Sequence, residues 1–174
     1  MAEADWLKQH IRDLPDHPQP GVTFRDITPL LADGAAFAEA VDRLATPFRN
    51  EAIDVVVGIE ARGFVFGAPV AAALGTGFVP ARKPGKLPGP TRREEYALEY
   101  GTDALEVHRD ALATGARVLV VDDVLATGGT AAAAARLVTG QGGVLVGLSF
   151  LIDLTFLAGR TQLQPHRVHA VLEY

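Results

Sequence analysis

Hydrophobic runs alternate with helix-like segments along most of the chain. Four apolar runs predict strands at residues 53–59, 77–82, 117–124 and 143–153, and a fifth at 168–174 predicts an edge strand. The first, IDVVVGI, is rich in β-branched residues, as in strands buried on both faces. Because helix-like segments separate the strands, we expect an α/β fold with a mainly parallel central sheet flanked by helices.

Helical spacing of apolar residues predicts the other elements. One amphipathic stripe predicts a helix over residues 4–14, and another predicts a helix over 37–48, with Asp33 suited to cap it. Further helices are expected at 67–75 and in the alanine-rich stretch at 131–138.

The segment at 83–108 departs from this alternation. It begins with prolines and glycines and then alternates Tyr96, Leu98 and Tyr100 with polar residues, a pattern that predicts a hairpin arm. Segments this long outside a compact core are usually lids or binding loops, or else disordered. We interpret 83–108 as a flexible lid.

Composition narrows the class of protein. A chain of 174 residues with 48% hydrophobic and 21% charged residues is expected to form one globular domain. The chain has no cysteine, which excludes a thiol nucleophile and a disulfide framework. Its net charge of −5 argues against nucleic-acid binding as the main task, and no signal peptide or membrane span is evident. We expect a cytoplasmic protein with no nucleic-acid or membrane partner.

Polar segments follow three of the predicted strands. They are GIEARG at 58–63, ARKPGK at 81–86 and DDVLATGGT at 122–130. Ligands of open α/β sheets bind at the carboxyl ends of the strands. We therefore expect the three segments to converge on one site.

The third segment contains a glycine loop suited to a phosphate. Its residues are Ala126, Thr127, Gly128, Gly129 and Thr130, followed by the alanine-rich stretch. Glycines let backbone N–H groups approach an anion, and a helix N-terminus adds a favourable dipole. No lysine follows the glycines, so this is not a Walker A loop. The alternative is a plain glycine turn with threonine caps.

Asp122 and Asp123 end the buried strand before this loop. Two adjacent carboxylates there cost desolvation energy, repel each other and cannot neutralise a phosphate. Ribose hydroxyls are natural donors to such acids. A metal-binding acid pair and simple capping of turn N–H groups are the alternatives. The acid pair and the glycine loop together favour a sugar phosphate.

These motifs resemble a known family. VLVVDDVLATGGT, at 118–130, is similar to the phosphoribosyl-diphosphate motif of the type I phosphoribosyltransferases. Stretches at 20–31, 58–71, 82–91 and 94–108 occur in that family's order. The first and the last of these stretches point to its adenine-specific members.

The resemblance implies a fold, a reaction and partners. The fold would be the type I phosphoribosyltransferase fold in one domain over 1–174, with an N-terminal hood at 1–35 and the lid at 83–108. The reaction would convert adenine and phosphoribosyl diphosphate to AMP and diphosphate, in a homodimer, with Mg²⁺ held mainly by the phosphoribosyl diphosphate. Alternatives are a transferase for xanthine or another oxopurine, and a non-catalytic regulator that senses phosphoribosyl diphosphate. Such a regulator would carry an extra DNA-binding segment, and none is evident.

The resemblance also assigns residues to the donor. Asp122 and Asp123 would hold the ribose hydroxyls, and the loop at 126–130 would cradle the 5-phosphate. The expected diphosphate ligands are Arg62, Arg82 and Lys86, of which the last two would reach into a neighbouring subunit. A cis peptide is expected between Glu60 and Ala61.

On the acceptor side, Thr23 and Arg25 would meet the adenine edge, with Phe24 packing nearby. Glu99 would give a proton to the purine N7, and Tyr100 would help to close the site. His17 and Thr23 depart from the family pattern, which commonly has an aromatic and a β-branched apolar residue at these positions.

Overall fold

A five-stranded sheet forms the centre of the computed structural model, which describes residues 5–98 and 101–174. In chain order, the strands of the described residues are β1 (Arg12–Leu14), β2 (Phe24–Asp26), β3 (Val55–Ile59), β4 (Gly77–Ala81), β5 (Thr91–Ala97), β6 (Thr102–His108), β7 (Arg117–Leu125), β8 (Val144–Asp153) and β9 (Val168–Glu173).

The central sheet has the order β4-β3-β7-β8-β9, and each neighbouring pair is parallel. The five strands predicted from apolar runs all form, and β9 lies at an edge as expected. The prediction of an α/β fold with a mainly parallel central sheet is therefore confirmed.

Helices cover both faces of this sheet. They are α1 (Asp5–Lys8), α2 (Thr28–Ala32), α3 (Gly34–Ala45), α4 (Arg62–Leu74) and α5 (Gly129–Gly140). The Asp33 side chain caps α3 by accepting from the N–H groups of Ala35 and Ala36 at 3.0 and 2.9 Å, as predicted. Within the described ranges, no helix is long and apolar enough to cross a membrane.

Two hydrophobic cores lie on opposite faces of the sheet. Leu119 and Val121 of β7 belong to the core under α3 and α4. Val118 and Val120 belong to the core under α5 and the β5–β6 hairpin. Alternate residues of a strand face opposite sides, so a strand buried on both faces must be apolar throughout, as the sequence pattern indicates.

The N-terminal segment differs from the helix predicted over residues 4–14. The helix α1 ends at Lys8, and β1 instead pairs antiparallel with β2. The Arg25–Asp13 ion pair joins the two strands. The helix prediction was wrong in its second half because the pairing partner lies further along the chain, beyond the reach of local periodicity.

The hairpin predicted within 83–108 forms from β5 and β6 and lies along α5. Ala97 lies beside Gly129 at the start of α5, and the guanidinium of Arg92 lies over Gly140 at its end. The hairpin therefore follows the length of this helix, with the end of β5 next to the glycine loop.

Candidate active site

Two acidic residues lie near the carboxyl end of the central strand β7. Asp122 and Asp123 are only 9% and 5% exposed, and the Asp123 N–H donates to Asp122 Oδ1 at 2.9 Å. Gly63 lets the first turn of α4 approach them, because a Cβ there would lie 2.6 Å from Asp122 Oδ1. Helix and strand together therefore hold both carboxylates at the floor of the site.

The position of Asp122 in the site alters its pKa. Burial raises the pKa of Asp122 well above its usual value, and the adjacent charge of Asp123 raises it further. Carboxyl oxygens are strong acceptors of hydrogen bonds from hydroxyl groups. Such a pair suits the hydroxyl groups of a sugar.

Arg62 connects the acid pair with the N-terminal segment. Its Nε lies 2.7 Å from Asp123 Oδ2, and its Cζ lies 5.2 Å from the centroid of the Phe24 ring. The close ion pair is not aligned as a hydrogen bond, since Asp123 Oδ2 has no hydrogen-bond partner within the described residues. Arg62 begins α4 directly after the Glu60–Ala61 peptide, which is cis, so that prediction is confirmed.

The glycine loop between β7 and α5 is supported by a second loop. Gly128 has a φ of 90°, and a Cβ there would lie 2.5 Å from the carbonyl oxygen of Gly159. A Cβ on Gly159 would in turn collide with the carbonyl oxygen of Ala126. The loop surrounds a small cavity of about 80 Å³ at the N-terminus of α5, where backbone N–H groups favour an anion.

A larger cavity of about 370 Å³ brings the strand-end segments together. Its lining comprises Ile59, Glu60, Ala61, Arg62, Lys83, Asp122, Asp123, Val124, Ala126 and Thr130. The segments after β3, β4 and β7 therefore converge at one edge of the sheet, as the sequence predicts. The cavity is thus lined by the two carboxylates, by residues of the glycine loop and by the cations Arg62 and Lys83.

Comparison with known proteins identifies the family. The family model described as "Phosphoribosyl transferase domain" matches residues 30–169. A protein named adenine phosphoribosyltransferase from Clostridium perfringens is 56% identical over 168 residues, which cover 97% of this chain and 98% of the relative. A relative of the same name from Roseiflexus is 57% identical over the same shares. The chain belongs to the adenine phosphoribosyltransferase family.

Solved structures of this family have the same fold. The adenine phosphoribosyltransferase of Rhodothermus marinus is 52% identical, with a TM-score of 0.95 and 100% of both chains covered. That of Saccharomyces cerevisiae, complexed with D-2,5-dideoxy-2,5-imino-altritol 1,6-bisphosphate and adenine, is 40% identical. Its TM-score is 0.93, and the match covers 98% of this chain and 99% of the yeast chain. The type I phosphoribosyltransferase fold is thereby confirmed.

The basic run after β4 is organised around Glu60. In this family member, Arg82 Nε donates to Glu60 Oε2 at 2.7 Å, and the Lys83 N–H donates to Glu60 Oε1 at 2.9 Å. Arg82 Nη1 also donates to the carbonyl oxygen of Lys86 at 3.2 Å, while the Lys86 side chain is exposed. Lys83 is the residue of this run that lines the larger cavity.

Lys83 was not singled out from the sequence. Its Nζ donates to Tyr96 Oη at 2.6 Å and forms an ion pair with Asp103, so it links β4 to the hairpin. Burial alone would lower the pKa of Lys83, but the hydrogen bonds with Asp103 and Tyr96 outweigh it and raise the pKa. In the sequence, Lys83 is marked only by its position between Arg82 and Lys86, the two basic residues that were expected to bind diphosphate.

The residues expected to meet adenine lie on different faces of the N-terminal segment. Phe24 faces Arg62. The His17 ring packs edge-on against the Phe24 ring, with 5.3 Å between the two ring centroids. Thr23 is exposed. The Arg25 side chain is directed elsewhere, towards Asp13 and Tyr174. The structure thus brings Phe24, but not the Arg25 side chain, towards Arg62 and the acid pair.

Glu99 and Tyr100, the residues expected to be catalytic, lie outside the described residues. The end of β5 nearby is at the site, because a Cβ on Gly129 would lie 3.4 Å from the carbonyl oxygen of Ala97. Gly159 was also missed, since it contacts the glycine loop from an element distant in sequence. Glycine spacing by itself carries no signal for such contacts.

Proposed function

We propose that this member of the adenine phosphoribosyltransferase family transfers the 5-phosphoribosyl group from phosphoribosyl diphosphate to adenine, giving AMP and diphosphate. The observation that carries the proposal is the buried acid pair, which lies between the glycine loop and Arg62 in one cavity. Adenine in the complex of the yeast relative supports this choice of base.

The donor is held by β7 and the loop after it. Asp122 and Asp123 engage the ribose hydroxyls, and the backbone N–H groups and threonine hydroxyls of residues 126–130 surround the 5-phosphate. The carboxylates also place negative charge beneath the sugar, which becomes cationic as its bond to diphosphate breaks. Burial strengthens this electrostatic effect, because little water screens it.

The leaving diphosphate is stabilised by cations of the segments that follow β3 and β4. Arg62, Arg82 and Lys86 carry this role, and Lys83 joins them because it lines the cavity. As the bond between the sugar carbon and the diphosphate oxygen lengthens, charge grows on diphosphate, and fixed cations lower the energy of that transition state.

The acceptor is held by the N-terminal hood at 1–35 and enclosed by the lid at 83–108. Thr23 and Arg25 meet the adenine edge, the latter through its backbone, and Phe24 packs nearby. Glu99 transfers the proton at the purine N7, and Tyr100 helps to exclude water from the cationic sugar. These roles rest on the match of the motifs at 20–31 and 94–108.

Mg²⁺ fits this site as a partner of the substrate. No group of three or more His, Cys, Asp or Glu side chains able to hold a metal occurs in residues 5–98 and 101–174. Mg²⁺ commonly uses one or two carboxylates together with substrate phosphates and water, and Asp122 and Asp123 supply such carboxylates beside the glycine loop. When bound, the ion would neutralise charge on diphosphate.

The assembly and location are part of the same proposal. We expect a homodimer, in which Arg82 or Lys86 can reach a neighbouring site, and light scattering should give a mass near two chains. A mass near one chain would contradict it. We also expect a cytoplasmic location, and cell fractionation would test this.

One assay tests the function. Purified protein is mixed with phosphoribosyl diphosphate, Mg²⁺ and, separately, adenine, hypoxanthine, guanine or xanthine, and nucleotide formation is followed. AMP from adenine, with little product from the other bases, is expected. Product from an oxopurine but not from adenine would sink the proposal in favour of an oxopurine transferase. Binding of phosphoribosyl diphosphate without turnover of any base would identify a sensor instead.

A further inference from the structure

The strand that would hold adenine belongs to a very small sheet. The strands β1 and β2 have three residues each, and β1 is exposed throughout. An isolated two-stranded sheet is marginally stable in water. The position of β2 relative to the acid pair therefore depends on side-chain contacts with the rest of the protein.

One such contact lies on the face of β2 opposite to Phe24. Successive residues of a strand point to opposite faces, so Phe24 meets Arg62 while Arg25 points away from it. The Arg25 Cζ lies 4.1 Å from the ring centroid of Tyr174, within cation–π distance. The Arg25 side chain is 19% exposed, and its Nε is buried without a hydrogen-bond partner within the described residues. Water therefore weakens this contact little.

The backbone of Tyr174 is hydrogen-bonded to the central sheet at the carboxyl ends of its strands, the edge at which the acid pair lies. Its N–H donates to the carbonyl oxygen of Asp153 at 3.0 Å. Its own carbonyl oxygen accepts from the Thr155 N–H at 2.9 Å and from Thr155 Oγ1 at 2.7 Å. Asp153 ends β8, which pairs with the strand that carries the acid pair. The backbone of Tyr174 is thus part of the rigid body that holds the donor.

The same ring also contacts the first helix. Lys8 Nζ of α1 lies 5.2 Å from the centroid of the Tyr174 ring. One aromatic ring, anchored by its backbone at the sheet, therefore meets a cation from α1 and a cation from β2.

We propose that Tyr174 is a positioning residue for the base: by holding Arg25, its ring sets the distance between β2 and the acid pair. Tyr174 acts through Arg25 and touches no reacting group. This inference rests on the proposed function, in which β2 meets adenine. It predicts that the ring matters for adenine and not for phosphoribosyl diphosphate.

The test compares Tyr174→Leu, Tyr174→Ala and Tyr174→Phe with the wild type. Leu keeps apolar bulk but has no π face, whereas Phe keeps the face and loses only the hydroxyl. The KM for adenine should rise about five- to tenfold in the Leu and Ala variants, the size expected for a partly buried cation–π contact. In the Leu and Ala variants, the KM for phosphoribosyl diphosphate should stay within about twofold of the wild type. Tyr174→Phe should have wild-type KM values for both substrates.

Melting temperatures of all variants separate positioning from general stability. A rise in both KM values together, or a Phe variant as impaired as Leu, would overturn the proposal. An unchanged KM for adenine in a folded Tyr174→Leu variant would also overturn this inference. The proposed function would still hold in that case, provided that the wild type converts adenine to AMP. If the wild type itself did not use adenine, the proposed function would fail, and this inference with it.

Discussion

The proposed donor side and the proposed acceptor side of the site are carried by different kinds of structure. The donor side comprises Asp122, Asp123 and residues 126–130. It is carried by a buried strand with a hydrophobic core on each face. The acceptor side, residues 23–25, stands on a three-residue strand at the surface, where Thr23 is exposed. Both sides must meet across one cavity for a transfer reaction.

This difference separates two kinds of mutational sensitivity. The geometry of the donor side is tied to the folding of the core, so a change that disturbs β7 also disturbs the whole protein. The geometry of the acceptor side depends on a few contacts, so base binding can change while the fold persists. Substitutions on the two sides should therefore give distinct kinetic signatures.

The largest effect is expected from Asp123→Asn. The amide keeps the shape but loses the charge that accepts from ribose hydroxyls and balances the cationic sugar. kcat/KM for phosphoribosyl diphosphate should fall about 100-fold, as expected for charged hydrogen bonds of roughly 1.5–3 kcal/mol each. Calorimetric binding of adenine should change much less. Asp110→Asn, at an exposed carboxylate, is the control, and unchanged kinetics in Asp123→Asn would remove the acid pair from the site.

A somewhat smaller effect is expected from Gly128→Ala. A left-handed backbone costs a non-glycine residue about 1–2 kcal/mol, and the new Cβ would also press on the Gly159 carbonyl oxygen, 2.5 Å away. The KM for phosphoribosyl diphosphate should rise roughly 20-fold because the displaced loop no longer presents its N–H groups to the phosphate, while the backbone strain lowers the stability.

Gly75 offers a matched control for that variant. It also has a positive φ, of 69°, but no atom lies within 4 Å of its Cβ position. Gly75→Ala should therefore lower the melting temperature without raising the KM. Equal kinetics in the two variants would mean that the 126–130 loop does not hold the phosphate.

Glu99→Gln should lower kcat about tenfold, less than the roughly 10²–10⁴-fold that a full proton-transfer contribution can reach. Glu99 is expected to serve the acceptor, so the KM for phosphoribosyl diphosphate should stay near that of the wild type. Glu95→Gln, at an exposed position of the same hairpin, is the matched control. Wild-type turnover in Glu99→Gln would show that Glu99 transfers no proton.

The smallest effect concerns the stability of the ligand-free protein. Because burial and Asp123 raise the pKa of Asp122, the folded state binds its proton more tightly than the unfolded state does. The stability that this proton supplies is complete below the unfolded pKa of about 3.9 and is lost as pH rises through the folded pKa. Asp122→Asn should thus raise the melting temperature at neutral pH by roughly 2–4 °C, the effect of about 1 kcal/mol.

The gain should disappear in acid, where Asp122 is protonated in both states. Phosphoribosyl-diphosphate use should fall in the same variant, so stability and function change in opposite directions. A variant less stable than the wild type at neutral pH would contradict the raised pKa. Scanning calorimetry between about pH 3 and pH 8 covers the range.

The local structure of residues 118–130 could be predicted from the sequence because its signals are local. A buried strand, two acids and a glycine loop are contiguous between residues 118 and 130, and each has a direct physical interpretation. The parallel sheet followed from apolar runs that need no knowledge of their partners. The resemblance to a family added the cis peptide after Glu60, which no periodicity could have indicated.

The parts that escaped prediction depend on partners distant in sequence. β1 forms because β2 pairs with it, and Gly159 is a glycine because Ala126 lies against it. Arg25 was assigned to the base from its motif, yet its side chain meets Tyr174 from the other end of the chain. Such contacts are set by tertiary packing, which local sequence patterns do not indicate.

Cations around the larger cavity already have carboxylate partners: Arg62 with Asp123, Arg82 with Glu60, and Lys83 with Asp103. An anion that engages one of these cations therefore competes with the carboxylate already paired to it. Chloride or a single phosphate regains little by that exchange, whereas diphosphate carries enough charge to replace several partners at once. Under the proposed function, we expect this pairing to favour a multiply charged donor over common anions.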